Sequence, residues 1–501
     1  MRWYEYTLTL APGQTLKNTV TAPLYPAIDA GYTPSLYAYT YLLSPAKTWA
    51  QFGELEVVVK TPYYMTECGV DGFIKEEVVE KMFEYFTKIP VEDMAKIQTT
   101  QQFIDNFITY IECDVETNTD KAVTMVLSGA LVMILDGFKE FIVIDARTYP
   151  VRSVEEPESD KVLRGAHEGF VETLVFNTAL IRRKIRDPML TMELFSVGNK
   201  SKTDVVVCYI DGKADEKKLA AVRKKLKAIS VDALSMGQES LKECLMPKQA
   251  WNPYPKVRYT ERPDTASACI YDGNILIITD GSPSVMIVPT GIFDFVQDIN
   301  DYYFSPSVGT FLRYIRAAVF LLSFLLVPFW YLMVKTPERI PDWLNFMRIK
   351  EPAEVSVIVQ IFVIEFVIDV LKLASLNTPS ALNNSFSVVG ALVLGEFAVS
   401  SGLFSNEVVL FMAFVAIANF TQPSYELGYA IKLSRLSVLI LTAIFDLWGF
   451  AAGIVITVLT VSFTKTIDGY TYLYPLLPFN KKALGSLLVR KSINMKMNDK
   501  T

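Results

Sequence analysis

Two carboxylates, Glu365 and Asp369, stand four residues apart inside the apolar run Val355–Leu376. Glu396 lies in the run Phe386–Phe404, and Asp446 in the long run Leu436–Phe463. An acid inside such a run is costly unless it faces a partner or water. At a spacing of four, Glu365 and Asp369 share one helical face and repel unless water, a cation or a proton intervenes. If several copies formed a ring, such a face would attract cations along a pore. Proton-linked gating is a second reading. In a third, the face is buried against other helices, with the acids protonated or paired to Lys372, Lys432 or Arg435. A separate basic cluster, Arg182, Arg183 and Arg186, ends an expected helix over His167–Arg186, which Pro188 stops. It reads as a solvated helix end or as an assembly face for a neighbouring subunit or lipid headgroups.

The acids depend on apolar elements for their position. Phe311–Val334, Val355–Leu376, Phe386–Phe404, Val408–Phe420 and Leu436–Phe463 are candidate membrane stretches. The fourth is short for a span, and the last is long enough to tilt or to break near Asp446 or Gly449. Gly449 and Gly453 have the spacing that lets helices approach closely. Pro328 can kink the first stretch, and Trp330, Tyr331 and Trp343 suit an interfacial belt. Arg313 and Arg316 place the start of the first stretch on the inner side, and the basic tail also belongs inside. That parity needs an even number of crossings, which a membrane hairpin within Leu436–Phe463 would supply. The range is roughly four to six spans.

Composition agrees with a membrane chain. Of 501 residues, 51% are hydrophobic and the mean hydropathy is +0.27, with the excess in the last third. A net charge of -6 argues against nucleic acid as a partner. The tail holds Lys481, Lys482, Arg490, Lys491, Lys496 and Lys500 against Asp499, which suits an anionic cytoplasmic leaflet. The five cysteines show neither metal-ligand nor redox spacing. The single histidine, His167, falls at the start of a polar helix, where capping is the expected role. No phosphate-binding glycine loop, zinc spacing or nucleophile elbow occurs. Neither an enzyme activity, nor a cofactor, nor a metal site is expected. The N-terminus lacks a secretory signal pattern, so the hydrophilic part is expected in the cytoplasm.

The fold class expected is α+β/α: a cytoplasmic two-lobed α/β domain followed by an all-α multi-span membrane domain. Residues 1–67 read as a β-rich extension with strands at Trp3–Leu10, Ser35–Tyr41 and Glu54–Thr61. Lobe one occupies 68–150, a linker 151–166, lobe two 167–305, the membrane domain 306–466 and a basic tail 467–501. The lobes carry an internal repeat. Val70-Asp71-Gly72 leads into the helix Lys75–Phe86, and Ile210-Asp211-Gly212 into Glu216–Ile229. Leu127–Gly137 recurs as Ile270–Gly281, each read as strand, glycine turn, strand, glycine turn, with a third strand after it (Phe141–Ala146, Ser284–Val288).

Several longer runs carry a resemblance. They are Glu155–Glu158, Arg164–Thr173, Asn177–Pro188, Trp251–Pro253, Arg258–Asp264, Asp280–Val285 and Pro423–Glu426. Together they resemble the GerA family, the A subunits of spore germination receptors, over roughly Val70–Arg490. Residues 1–67 depart from the family pattern and look like a fusion or a gene-model error. The resemblance implies a multi-pass protein of the spore inner membrane with its large domain in the cytoplasm. It implies a ring-like homo-oligomer that passes monovalent cations and joins other germination membrane proteins. A non-conducting scaffold or signal relay is the alternative. The matching runs do not mark pore residues.

Overall fold

The computed structural model describes residues 27–29, 36–38, 65–377 and 400–490, apart from 71–72, 87, 95, 111, 136, 150, 158–159, 163, 247–250, 352 and 468–470. The chain divides into two compact units, Met1–Pro150 and Val151–Thr501.

In the first unit a short hairpin joins β1 (Ala27–Asp29) to β2 (Leu36–Ala38). Its lobe is a four-stranded antiparallel sheet of β3 (Met65–Cys68), β4 (Cys113–Glu116), β5 (Leu131–Leu135) and β6 (Phe141–Ile144), in the order β3-β5-β6-β4. Helices α1 (Glu76–Phe86), the one-turn α2 (Val91–Met94) and α3 (Thr100–Phe107) accompany it. Met82 and Phe103 of α1 and α3 close over Met133, Ile142 and Ile144. On the other face α4 (Thr119–Leu127) sets Ala122 against Val132 and Val143. A sheet covered on both faces needs apolar residues on both, hence the unbroken Leu-Val-Met-Ile-Leu of β5. Asn118 caps α4 by accepting from the Lys121 N–H at 3.1 Å.

The second unit opens with a larger lobe. Its elements are α5 (Leu174–Lys184), β7 (Leu190–Val197), β8 (Thr203–Ile210), α6 (Glu216–Lys227), α7 (Gln238–Leu245), β9 (Arg258–Thr260), α8 (Pro263–Tyr271), β10 (Ile275–Thr279) and β11 (Val285–Val288). The antiparallel sheet runs β7-β8-β10-β11-β9. Leu219, Val222 and Leu241 of α6 and α7 pack on one face, and Leu180, Ile181, Ala266 and Ile270 of α5 and α8 on the other.

The repeat is visible in the topology. The order β3-β5-β6-β4 matches β8-β10-β11-β9. Helices α4 and α8 each have 9 residues. Gly129 and Gly273, at φ +96° and +95°, follow those helices, and Gly137 and Gly281, at +86° and +76°, turn the two hairpins. Here the structure corrects the reading of Leu127 and Ile270. The apolar residues before the first glycine end a helix in both lobes, because short apolar runs do not separate buried helix from buried strand.

Other boundaries also move. Met65–Cys68 pairs with β5, so the end of the assigned extension is the edge strand of lobe one. Of the strands expected in 1–67, β2 falls inside Ser35–Tyr41, while Trp3–Leu10 and Glu54–Thr61 lie outside the described residues. The segment 151–166 belongs to lobe two. Arg262 donates to the carbonyls of Asp160 and Ala166, and Thr260 to the Asp160 carboxylate at 2.7 Å. The helix expected from His167 begins at Leu174, because the chain before it is held extended. Phe170 N–H donates to Glu261 O and Val171 N–H to the Asn177 side chain. A Cβ at Gly169 would lie 2.7 Å from the Glu155 carbonyl.

Beyond the lobe, α9 (Asn300–Tyr303) precedes the helices α10 (Pro306–Lys335), α11 (Val357–Asn377), α12 (Asn406–Phe420), α13 (Tyr425–Ser462) and α14 (Lys481–Leu488). Among the described residues α10 and α13 are long and apolar enough to cross a membrane, and α12 is a shorter apolar helix. α13 is in fact two arms. Asp446 interrupts it at φ +51°, ψ -129°, a conformation that L-residues rarely adopt. The arms then fold together. A Cβ on Gly449 would lie 1.9 Å from the Leu441 carbonyl oxygen, and one on Gly453 2.9 Å from the Val438 Cα. Glycine at these two positions is what permits that approach.

Contacts fix which end of the hairpin is which. At its base Glu426 pairs with Lys242 of α7 at 2.8 Å, and Asn252 donates to Thr464 at 2.7 Å. At its tip Asp446 pairs with Lys335, the last residue of α10, whose ammonium also donates to Ala443 O at 3.0 Å. After the hairpin the chain re-enters lobe two, where Ile467 joins the core of α6 and α7.

A charge cluster between two apolar helices

Glu365 and Asp369 of α11 face Lys432 and Arg435 of α13. Lys432 Nζ lies 2.9 Å from Glu365 Oε2, pairs with Asp369 Oδ2, and donates to the Glu365 carbonyl at 3.4 Å. Arg435 pairs with Glu365 Oε1 and donates to Ser323 O of α10 at 2.8 Å. Glu365, Lys432 and Arg435 are buried, whereas the Asp369 side chain keeps 34% of its exposure. One Asp369 oxygen, Oδ1, is buried without a hydrogen-bond partner. The four formal charges cancel, which is how a helix pair holds acids away from water. Lys372, on the same helix, lies over the rings of Phe420 and Tyr429 at 5.3 and 5.7 Å.

The surrounding packing holds these helices together. Trp330, Phe411, Met412, Ile361, Ile364 and Leu439 form one core, with the Trp330 and Phe411 rings 4.7 Å apart. Gln360 accepts from Ser405 N at 2.9 Å, tying α11 to the start of α12. Trp330, expected at an interface, is wholly buried and donates to Met347 O at 2.8 Å. Tyr331 is also buried, and Trp343 alone of the three is exposed. On the other side of α11, Val359, Val363, Phe366, Val370 and Leu373 form an exposed apolar stripe, beside which Asp369 sits.

The remaining site candidates are dispersed. Asp446 is at the hairpin tip with Lys335. Glu396 lies outside the described residues. Arg182 donates to Asp187 O and Leu190 O at 3.0 and 2.7 Å and so closes the turn between α5 and β7. Arg183 pairs with Glu168, while Arg186 is exposed. His167 lies 3.0 Å from Glu156 rather than on a helix.

A second buried cluster was not singled out from sequence. Asp301 is fully buried, 2.9 Å from Arg316 and 3.3 Å from Arg313 at the start of α10. Arg313 also donates to Ser486 O and Leu487 O, the exposed carbonyl end of α14. Arg490 donates to Tyr302 O at 2.6 Å and to Phe304 O, so this tail residue serves the fold. The signal was available: two arginines entering an apolar helix shortly after Asp298 and Asp301. Among the described residues no group of His, Cys, Asp and Glu could hold a metal ion. Burial pushes the Cys208 thiol up to about 12 and the Cys269 thiol up to about 11, outside the range of reactive thiols.

A family model described as Bacillus/Clostridium GerA spore germination protein matches residues 51–501. The chain belongs to the GerA family. The match reaches into the segment that looked foreign to it. Stage V sporulation protein AF of Bacillus subtilis (strain 168) is 41% identical over 387 residues, 77% of this chain and 78% of that protein. The uncharacterized membrane protein YfkQ of the same organism is 31% identical, covering 84% of this chain and 83% of its own length. Spore germination protein KA, also from that organism, is 28% identical over 88% and 80%. A crystal structure of the N-terminal domain of the A subunit of the Bacillus megaterium spore germinant receptor GerK3 aligns to 24% of this chain and 93% of that one, at 38% identity and a TM-score of 0.20. The names of these GerA relatives are those of sporulation, germination and membrane proteins.

Proposed function

We propose that this GerA-family chain is a multi-pass subunit of a spore germination complex, and that several copies surround a path for monovalent cations. The observation that carries the reading is the division of α11 into two faces. One face neutralises its acids inside the subunit, and the other presents an apolar stripe with Asp369 at its margin. An apolar outer surface belongs against lipid or another subunit. A carboxylate beside such a stripe would meet the central axis of a ring at its edge and favour cations there. The hairpin in α13 supports an even number of crossings, with lobes and tail on the cytoplasmic side of the spore inner membrane. The exposed Arg186, with Arg182 and Arg183 near it, would meet a neighbouring copy or anionic headgroups.

The test is flux of K⁺ and Na⁺ from liposomes holding the purified oligomer. Conduction that loses cation preference on Asp369→Asn supports the path. Absence of flux, with the oligomer intact and normal ion release restored in spores by a membrane-region swap, sinks it. That second outcome is the scaffold reading. The internal pairing of Glu365 favours it, since a sealed acid contributes nothing to a pore lining.

A further inference from the structure

The first arm of α13, Tyr425–Phe445, is gripped by lobe two on one face while the adjacent face holds the acids of α11. Lys242 meets Glu426 at 2.8 Å. Tyr254 shares a core with Leu427, Ala430 and Ile431, and its hydroxyl lies 2.8 Å from Ser434 Oγ, a buried contact about two turns beyond Glu426. Arg435 follows directly on Ser434, which Tyr254 touches, and Lys432 follows on Ile431 of the same core; these two cations hold Glu365 and Asp369. From Tyr429 to Phe445 the arm has neither glycine nor proline, so these turns move as a rod.

Lobe two is also fastened to the end of the second arm, at the same base of the hairpin. Asn252 donates to Thr464, Tyr472 donates to Pro255 O at 2.6 Å, and Ile292 N–H donates to Tyr472 O at 3.0 Å. Tyr254 stands in the same short loop, Trp251–Pro255, that leads straight into β9 of the sheet. A shift of the sheet therefore cannot leave the arm behind.

We propose that lobe two controls the charge cluster through this arm: Tyr254 and Lys242 set the rotation and height of α13, and so decide whether Lys432 stays seated between Glu365 and Asp369. The inference rests on the reading that α11 borders the cation path, because only then does unseating Lys432 change what passes. In the arrangement described here the cluster is closed. A displacement of lobe two that turns the arm would draw Lys432 off Asp369, leaving that carboxylate to water or a cation.

Hydrogen exchange of the full-length protein in lipid nanodiscs tests the coupling independently of conduction. Tyr254→Phe removes the bond to Ser434, and Glu426→Ala the pair with Lys242. Each should raise exchange in peptides covering 357–377 by roughly fivefold, the loss of one net hydrogen bond felt at α11. Lys200→Gln, which breaks an exposed pair with Asp232 on the same lobe, should leave those peptides unchanged. Ser434→Ala removes the Tyr254 bond from the helix side and should reproduce Tyr254→Phe, which guards against a variant that only damages the lobe. Faster exchange confined to 251–255 and 425–434, with α11 unaltered, would overturn the proposal. If exchange in α11 responds but liposomes pass no cations, the coupling stands and the conduction reading fails.

Discussion

Replacing Glu365 by glutamine would remove the one acid that answers both cations of the cluster. Arg435 is 1% exposed and Glu365 4%, so neither can turn to water when the pair is broken. Removing one partner of a buried pair costs about 3–5 kcal/mol, chiefly through the stranded charge. Arg435 keeps the Ser323 carbonyl at 2.8 Å, and Lys432 keeps Asp369. The lower end, about 3 kcal/mol, is therefore expected for Glu365→Gln. Asp369→Asn should cost about 1 kcal/mol, because its side chain reaches solvent and Lys432 retains Glu365. The decisive variant is the double change Glu365→Gln with Arg435→Gln. It removes both charges, leaves the pair Lys432–Asp369, and should recover about 2 kcal/mol relative to Glu365→Gln alone. The assay is the thermal midpoint of the purified full-length protein in detergent, read by tryptophan fluorescence and repeated in lipid. A Glu365→Gln protein as stable as its parent, or a double variant no better than the single one, refutes the idea that this acid serves the fold. A large change in cation selectivity at unchanged stability would instead place Glu365 on the ion path.

Gly449→Ala should destabilise the hairpin by about 1–3 kcal/mol or prevent its accumulation in membranes, because the new methyl meets the rigid Leu441 carbonyl; protease protection of the second arm reads this out. Gly485→Ala is the contrasting case, since its Cβ would meet nothing within 4 Å in a helix, and a gain of about 0.5–1 kcal/mol is expected in the same thermal assay. Asp264 accepts from Arg262 and from Tyr303 at 2.6 Å. Burial works against its charge, but the Arg262 and Tyr303 hydrogen bonds prevail and hold its carboxyl below the ordinary carboxylate range. Its contribution is then full above about pH 4 and is lost as pH falls through the lower native value. Asp264→Asn should cost about 2 kcal/mol at neutral pH, since the wholly buried Arg262 retains the Ala166 carbonyl, and should flatten the acid limb of lobe two stability followed by circular dichroism.

The sequence carried the lobes better than their edges. Gly129 and Gly273 follow the helices, and Gly137 and Gly281 turn the hairpins, all in left-handed backbone; this chemistry is local, so the repeat was legible. The start of α5 was not, because residues 167–173 have a helix-compatible composition and are held extended by distant groups, Glu155 and Glu261 among them. The break at Asp446 was only partly legible: a run longer than one bilayer crossing allowed either a tilt or a break near Asp446 or Gly449, and length does not choose between them. The pairing of the acids was only half legible. Lys432 and Arg435 were among the partners the spacing allowed, but which of three cations would reach which acid depends on the rotation of two helices about their axes. Lys372 instead lies over aromatic rings.

That rotation is the quantity on which the rest turns. The first arm of α13 offers three sets of contacts: Leu427, Ala430, Ile431 and Ser434 to lobe two, Lys432 and Arg435 to α11, and Val438 and Leu441 to the glycines of the second arm. Each set fixes the same angle independently. The glycines let the second arm lie close against Leu441 and Val438. The ion pairs then select the azimuth that neutralises two acids with two cations, and Tyr254 supplies a hydroxyl at that setting. Two of these constraints tie the arm to lobe two and to the second arm, so that it moves with them. The third, between Lys432 and a carboxylate that still touches solvent, is the one that water or a cation can contest, so a turn of the arm should show first at Asp369.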